Sequence, residues 1–213
     1  MNVAVLGSGS WATALAKIVM HNVAEINWYI RKQETIDEFR EIRRNPNHLE
    51  WAYFDISRIN FSNDINQVLS EAELVILAVP SPYVKDVLAE ITVDMSQKKV
   101  ISAVKGMIPG DNILVTDYMH QHFHVPEANL GMITGPCHAE EIALERLSYL
   151  TIGCKDTANA TEWKKLFDTP YVRTTPSNDM KGLEYASVMK NIYAIAAGMC
   201  TSLRYGDNFQ AVL

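Results

Sequence analysis

Cysteine is scarce in this 213-residue chain, and its three cysteines, at positions 137, 154 and 200, show no CxxC spacing. So few thiols argue against a disulfide framework or a structural zinc site and fit a reducing compartment. No apolar run reaches the ~18 to 20 residues of a bilayer-spanning helix, so stable membrane insertion is not expected. The first residues lack the charged start and cleavage site of a secretory signal. We therefore expect a cytoplasmic protein.

Positive charge is in deficit, since 19 lysines and arginines face 25 aspartates and glutamates, for a formal net charge of −6. A mildly acidic chain has no general attraction for nucleic acid or for an anionic membrane. Any phosphate that it binds must therefore be held by a few local groups.

Short apolar, β-branched runs alternate with longer amphipathic stretches along most of the chain. The pattern predicts strands at 3–6, 26–30, 74–79, 100–104, 132–134, 149–152 and 171–174. It predicts helices between them at 11–22, 33–43, 64–69, 83–91, 113–122 and 161–167. Continuous apolar strands separated by helices are typical of a sheet covered on both faces. We therefore predict an α/β fold with a Rossmann-type, doubly wound, mostly parallel sheet.

The pattern changes near residues 175–179, where a much longer helix begins. Ser177 or Asn178 is expected to cap this helix, which runs without a breaker to about Leu203. We place a boundary here, with 1–178 as a Rossmann domain and 179–213 as the start of an incomplete, all-α domain. About 35 residues are too few for an independent core.

The segment Gly-Ser-Gly-Ser-Trp-Ala at 7–12 follows the first predicted strand and opens the first helix. Gly7 permits a tight turn, Gly9 lets the backbone approach a diphosphate, and Ala12 replaces the third glycine of the dinucleotide fingerprint. Free amides at the helix N-terminus then face the anion. A glycine turn without a ligand is the alternative. The strand–loop–helix context favours a dinucleotide held by Gly7, Ser8, Gly9, Ser10 and Trp11.

The end of the second predicted strand distinguishes the two nicotinamide cofactors. An NAD enzyme usually has an acid there, which hydrogen-bonds the ribose 2′-hydroxyl. This chain has Arg31 and Lys32 instead, and such cations pair with a 2′-phosphate. Two solvated surface cations are the alternative. The position slightly favours NADPH over NADH as the cofactor.

Several segments together resemble the NAD(P)-dependent glycerol-3-phosphate dehydrogenases of the bacterial biosynthetic type. In the family's order they are 7–16 (GxGxWGTALA, with Ala12 for a glycine), 78–81 (AVPS), 105–106 (KG), 135–141 (GPSxAxE), 189–198 (LKNVxAIAxG) and 206–208 (GDN). The resemblance implies reversible, NAD(P)H-dependent reduction of dihydroxyacetone phosphate to sn-glycerol 3-phosphate, which supplies glycerophospholipid synthesis. It makes 1–178 the NAD(P)-binding Rossmann domain and 179–213 the start of the substrate domain.

The resemblance also assigns roles to single residues. The catalytic residues would be Lys190, Asn191 and Lys105; the substrate would contact Lys105, Gly135, Cys137 and Lys190; the cofactor would further contact Pro80, Lys105 and Ala139. Lys190 would give and take the proton, and its apolar neighbours Ile192, Ala194 and Ile195 are expected to desolvate it. An exposed helix lysine at 190 and a turn lysine at 105 are the alternatives.

The chain departs from the family pattern in three places. Cys137 stands where a serine is usual, and residues 45–51 lack the usual Tyr-Leu-Pro. The family's later helical domain, which holds the substrate phosphate, would lie beyond Leu213. We therefore expect this chain to bind a dinucleotide but to turn over substrate poorly. The apolar face of its last long helix is expected to pack on the Rossmann domain or to pair in a homodimer.

Histidine adds no metal site. His120, His122 and His124 have alternate spacing but no completing ligands, so we expect them to be exposed. His138 is interpreted as structural, not as a general base. Two other functional classes stay open: a two-domain dehydrogenase of the 6-phosphogluconate or β-hydroxyacid type, which also carries lysine and asparagine on a long helix, and a non-catalytic dinucleotide sensor.

Overall fold

The computed structural model describes residues 1–212, except for the side chain of Gln210. Its strands are β1 (Val3–Leu6), β2 (Ile26–Tyr29), β3 (Ile59–Ser62), β4 (Leu74–Leu77), β5 (Lys99–Ser102), β6 (Leu130–Thr134), β7 (Ser148–Cys154) and β8 (Val172–Ser177). Its helices are α1 (Ser10–Val19), α2 (Gln33–Ile42), α3 (Ile65–Ser70), α4 (Ser81–Ala89), α5 (Val115–Phe123), α6 (Ala139–Ala143), α7 (Thr157–Phe167), α8 (Met180–Ser202) and α9 (Asp207–Val212).

The strands form one sheet in the order β3-β2-β1-β4-β5-β6-β7-β8. Neighbouring strands are parallel throughout, except that β6 and β7 pair antiparallel. The order reverses between β1 and β4, where the chain returns to the centre of the sheet. In open α/β sheets a ligand binds at the carboxyl ends of the strands at such a switch point. The prediction of a doubly wound, mostly parallel sheet is confirmed.

The central strands are buried on both faces, and alternate residues of β1, β4 and β5 enter two different apolar clusters. Val3 and Val5 of β1 pack in the cluster that includes Leu15, whereas Ala4 and Leu6 pack in the other. A strand that is covered on both sides has no solvent-facing position, and this explains the unbroken apolar runs in the sequence. Aromatic rings fill one edge of the first cluster, where Trp28 contacts Phe39, Phe54 and Phe61.

Helix α8 begins two residues later than the expected cap. Strand β8 still includes Ser177, and the N-cap of α8 is Asp179, one residue after Asn178. The Asp179 carboxylate instead accepts a hydrogen bond from the Gly182 amide at 2.9 Å. The prediction that Ser177 or Asn178 caps this helix was therefore wrong by one or two positions. None of the described helices is long and apolar enough to cross a membrane.

Candidate functional site

The glycine loop lies between β1 and α1, at the switch point of the sheet. Gly7 has φ of +118°, and a Cβ there would lie 2.4 Å from the Ala78 carbonyl oxygen, so only glycine fits. The Trp28 indole donates to the Gly7 carbonyl at 2.7 Å and fixes the turn. A Cβ on Gly9 would meet nothing within 4 Å, so the space above this residue is open.

The N-terminus of α1 faces this open space without a protein cap. Gly9 occupies the N-cap position, no side chain bonds the first amides, and the first turn contains no acid. Such a terminus carries unsatisfied N–H donors and the positive end of the helix dipole. Ala12 is fully buried beneath it, where it belongs to the core. A negatively charged group of the size of a diphosphate fits this position.

A cavity of about 220 Å³ adjoins the loop on the β2 side. It is lined by Gly7, Ser8, Gly9, Tyr29, Arg31, His48, Val79, Pro80, Tyr83 and Val87. Arg31 is exposed and lies directly after the end of β2, as expected for a residue that reads the ribose. Lys32, at the N-cap of α2, is exposed but does not line this cavity. The structure thus brings Arg31 to the cleft and leaves Lys32 beside it.

A second cavity of about 290 Å³ continues the cleft toward β5. Its lining residues are Gly9, Ser10, Trp11, Ala78, Val79, Pro80, Ser81, Pro82, Ala103 and Lys105. The two cavities share Gly9, Val79 and Pro80, so together they form one groove across the carboxyl edge of the sheet. Ala139 is not among the lining residues of either cavity. It is buried in the core at the start of α6.

Lys105 lies at the β5 end of the groove, with its ammonium 4.5 Å from the centre of the Trp11 ring. Burial lowers the pKa of Lys105, and the positive charge of Lys190 lowers it further, whereas Cys137 acts in the opposite direction. The three side chains are therefore close enough to affect one another electrostatically. Residues from β5, α8 and the segment after β6 converge here, far apart as they are in sequence.

Cys137 is held by the backbone of β7, because its thiol lies 3.1 Å from the Tyr149 carbonyl oxygen. The same carbonyl would lie 2.4 Å from a Cβ on Gly135, so glycine lets the segment after β6 pass close to β7. This approach brings Cys137 close enough to act electrostatically on Lys105, although Cys137 lines neither cavity. Gly135 acts through the path of the backbone, since it has no side chain to offer a ligand.

Lys190 and Asn191 are both exposed on α8. The neighbours that were expected to desolvate Lys190 do not do so, since Ile192 and Ile195 are 55% and 66% exposed and point into solvent. The apolar face of α8 is likewise not packed against the rest of the described chain, and Met199 is 60% exposed. The first of the two expected positions for this face, against the Rossmann domain, was therefore wrong for these residues.

Two buried polar residues dock the first turns of α8 on the sheet, and sequence inspection missed both. The Glu184 carboxylate accepts from the Thr116 amide at 3.1 Å and from its hydroxyl at 2.5 Å, at the start of α5. The Ser187 hydroxyl lies 2.9 Å from that of Thr134 on β6. Burial raises the pKa of the Glu184 carboxyl above its ordinary value. These contacts set the position of Lys190, which follows Ser187 by one helical turn.

The segment after α2 also contributes to the site. Asn45 is buried, and its amide donates to the Ser8 carbonyl and to the Thr13 hydroxyl, each at 2.8 Å. His48 Nδ1 lies 3.2 Å from the Ser10 hydroxyl oxygen. An asparagine that follows a helix by a few residues is common in turns, so the sequence held no signal that these side chains meet the glycine loop.

The remaining histidines stay outside the groove. His120, His122, His124 and His138 are all exposed, as expected for the first three. His138 stands at the N-cap of α6 and makes no side-chain cap. Within the described residues, no group of three or more histidine, cysteine or acidic side chains could hold a metal ion.

Two protein-family models match this chain over most of its length. Residues 2–160 match the model for the N-terminus of NAD-dependent glycerol-3-phosphate dehydrogenase, and residues 179–213 match the model for its C-terminus. The chain belongs to the NAD-dependent glycerol-3-phosphate dehydrogenase family. The glycerol-3-phosphate dehydrogenases [NAD(P)+] of an Exiguobacterium species and of Oceanobacillus iheyensis are 33% and 32% identical to it. Those matches cover 100% and 99% of this chain but 62% and 61% of the relatives' lengths.

Solved structures agree with the family. The glycerol-3-phosphate dehydrogenase of Plasmodium falciparum superposes with a TM-score of 0.90 at 29% identity, over 100% of this chain and 62% of that one. An imine reductase from Myxococcus stipitatus superposes with a TM-score of 0.64 at 9% identity, over 95% of this chain and 63% of that one, and shares the fold alone. Membership in the family confirms the resemblance and disfavours a 6-phosphogluconate or β-hydroxyacid type.

Proposed function

We propose that this chain is part of an NAD(P)H-dependent glycerol-3-phosphate dehydrogenase. The enzyme would reversibly reduce dihydroxyacetone phosphate to sn-glycerol 3-phosphate, which supplies glycerophospholipid synthesis. One observation carries the proposal: the uncapped N-terminus of α1 and Lys105 lie along one groove on the carboxyl edge of the sheet, and the charge of Lys190, which does not line this groove, acts on Lys105. The first feature suits a diphosphate, and the two cations suit a carbonyl that becomes an alcohol.

The dinucleotide would lie along the groove. Its diphosphate would bind above Gly9, where the open space would be filled by any side chain, and its adenosine half would extend to Arg31. Pro80 lies between the two halves of the groove and would contact the cofactor from the β4 side. The nicotinamide supplies the hydride, and the protein orients the partners and handles the proton.

The two lysines would divide the remaining chemistry. Reduction of a ketone builds negative charge on its oxygen, and a cation beside that oxygen stabilises the transition state. Lys190 would donate the proton in reduction and accept it in oxidation, with Asn191 as an orienting amide on the same helix. Lys105, with its lowered pKa and its place between Trp11 and Cys137, would bind the substrate and hold its oxygen.

The setting of the protein is a further part of the proposal. Cys137, Cys154 and Cys200 are all free thiols, which supports a reducing, cytoplasmic location.

The exposed residues of α8 and α9, among them Ile195, Met199 and Phe209, form an apolar face. We propose that this face pairs with a second copy of the chain in a homodimer. Sedimentation at several concentrations tests the pairing, and a monomer at all of them would contradict it.

A turnover assay separates the candidate functions. Absorbance follows the oxidation of NADPH or NADH in the presence of dihydroxyacetone phosphate. In the reverse direction it follows the reduction of NADP+ or NAD+ in the presence of sn-glycerol 3-phosphate, 6-phosphogluconate or a β-hydroxyacid. Reaction with dihydroxyacetone phosphate and sn-glycerol 3-phosphate, but not with the other two substrates, supports the proposal. Dinucleotide binding without any turnover, even in a chain that is extended to the length of its relatives, would favour a non-catalytic sensor. The exposure of Lys190 in this structure is the observation that keeps this second function open.

A further inference from the structure

The loop after α2 is bonded to the glycine loop at one end and anchored in the core at the other. Asn45 is 1% exposed and bonds Ser8 and Thr13, and Leu49 is buried with a left-handed φ of 54°. The Asn47 amide also donates to the Asn45 side chain at 3.0 Å. A segment held by buried groups on either side of His48 leaves this residue little freedom to move away.

The imidazole of His48 is exposed and lines the cavity beside Gly7, Ser8 and Gly9. Nδ1 is engaged by the Ser10 hydroxyl at 3.2 Å, and this is the one hydrogen bond of the ring among the described residues. Ser10 is the first residue of α1, so the bond places the ring beside the uncapped amides. Nε2 is left to meet a ligand in the cavity.

The charge of this cavity favours an anion. Arg31 is a cationic lining residue, and none of the described lining residues carries a carboxylate. Arg31 follows the end of β2, where the ribose of a dinucleotide binds, whereas His48 is bonded to the start of α1, where its diphosphate binds. The two side chains therefore serve different parts of the same molecule.

We propose that His48 is a binding residue for the dinucleotide diphosphate, to which Nε2 donates a hydrogen bond while Nδ1 is held by Ser10. The inference rests on the proposed function, because it requires a dinucleotide in the groove. It adds a contact from outside the glycine fingerprint, on a loop where this chain departs from the family's usual Tyr-Leu-Pro.

Three variants of His48 separate the roles of the two ring nitrogens. His48→Asn keeps an amide near the Nδ1 position but removes Nε2, His48→Gln keeps an amide near Nε2, and His48→Ala keeps neither. ADP and adenosine are titrated into each protein by calorimetry, with NADPH as a third ligand. We expect H48N and H48A to bind ADP and NADPH about tenfold more weakly than the wild type, and H48Q within about threefold of it. Adenosine, which lacks phosphate, should bind all four proteins equally.

His122 offers the matched control, since it is exposed on α5, stacks on Tyr118 and does not line the groove. H122N and H122Q should bind ADP as the wild type does. Equal ADP affinity for wild type and H48N, or a loss of adenosine affinity as large as that of ADP affinity, would contradict the role of His48. The proposed function would still stand. A wild type that binds neither ADP nor NADPH would overturn the proposed function with it. Circular dichroism melting checks folding, and H48A against H48Q gives the same comparison if H48N is unfolded.

Discussion

At the residue scale, we predict that Arg31 sets the cofactor preference, because it lines the cavity and Lys32 does not. We expect the wild type to bind NADPH at least as tightly as NADH, and Arg31→Ala to lower NADPH affinity roughly tenfold through loss of a charge-assisted bond. NADH affinity should change little. Fluorescence titration with both reduced cofactors at one fixed salt concentration measures this, since exposed charges are screened. Lys32→Ala is the matched control, and an equal loss in both variants would show general attraction instead of a specific contact.

Lys190 and Lys105 also belong to the residue scale, and their mutual effect is measurable. The charge of Lys190 helps to lower the pKa of Lys105, so Lys190→Gln should raise the Lys105 pKa toward the ordinary lysine value. NMR titration of the lysine side chains checks this in the chain as it stands.

In a catalytically active form of the protein, Lys190→Ala should cut the hydride-transfer rate by about 10² to 10⁴ at nearly unchanged cofactor affinity. A rise in KM at full kcat would show that Lys190 only binds substrate.

Glu184 holds α8 in place, because its carboxylate accepts the hydrogen bonds of the Thr116 amide and hydroxyl at the start of α5. Because burial raises the pKa of Glu184, the folded chain binds this proton more tightly than the unfolded chain. Its contribution to the free energy of unfolding is therefore fully present below about pH 4.3, the ordinary glutamate value, and is lost as the pH rises through the raised pKa. Glu184→Gln should remove this loss, so its stability relative to wild type should increase with pH. Urea unfolding at several pH values measures the difference, and a constant difference would contradict it. Near pH 4, Glu184→Ala should destabilise the chain by about 1 to 3 kcal/mol, since the Thr116 donors stay buried without a partner, and this difference should shrink as the pH rises and the wild type loses its Glu184 contribution.

The elements that the sequence predicted are those with a strong pattern of their own. β1, β2, β4 and β5 are apolar on both faces, and their predicted bounds differ from the observed ones by one or two residues at most. β3 has four residues at the edge of the sheet, and α6 has only five, too few for a helical period, so both were missed. The antiparallel pairing of β7 with β6 depends on the path of residues 135–147 and not on the composition of either strand.

The site shows the same division between local and distant information. The glycine loop and Arg31 were predicted because strand, loop and helix are adjacent in sequence. The contacts of Asn45, His48 and Glu184 join residues that are 30 or more positions apart, and no single-sequence pattern indicates such a pair. Lys105 and Lys190 were paired through the family resemblance alone. Their roles, like the domain boundary at 178, stay predictions.

At the scale of the whole molecule, the groove is walled on the sheet side and open on the side of α8. Lys190 and Asn191 are exposed, and the described residues place no cation opposite Lys105 that could hold a substrate phosphate besides Lys190 itself. The polypeptide of residues 1–213 should therefore bind NADPH but reduce dihydroxyacetone phosphate very slowly. Substrate orientation alone is worth ~7 to 11 kcal/mol of a barrier, and a substrate that is held on one side loses most of it. Single-turnover kinetics with saturating NADPH measure the rate, and an otherwise identical chain extended by the remaining helical segment of a relative is the control. Equal rates for the two chains would contradict the prediction and would mean that Lys105, Lys190 and the segment from Gly135 to Ala139 suffice for the reaction.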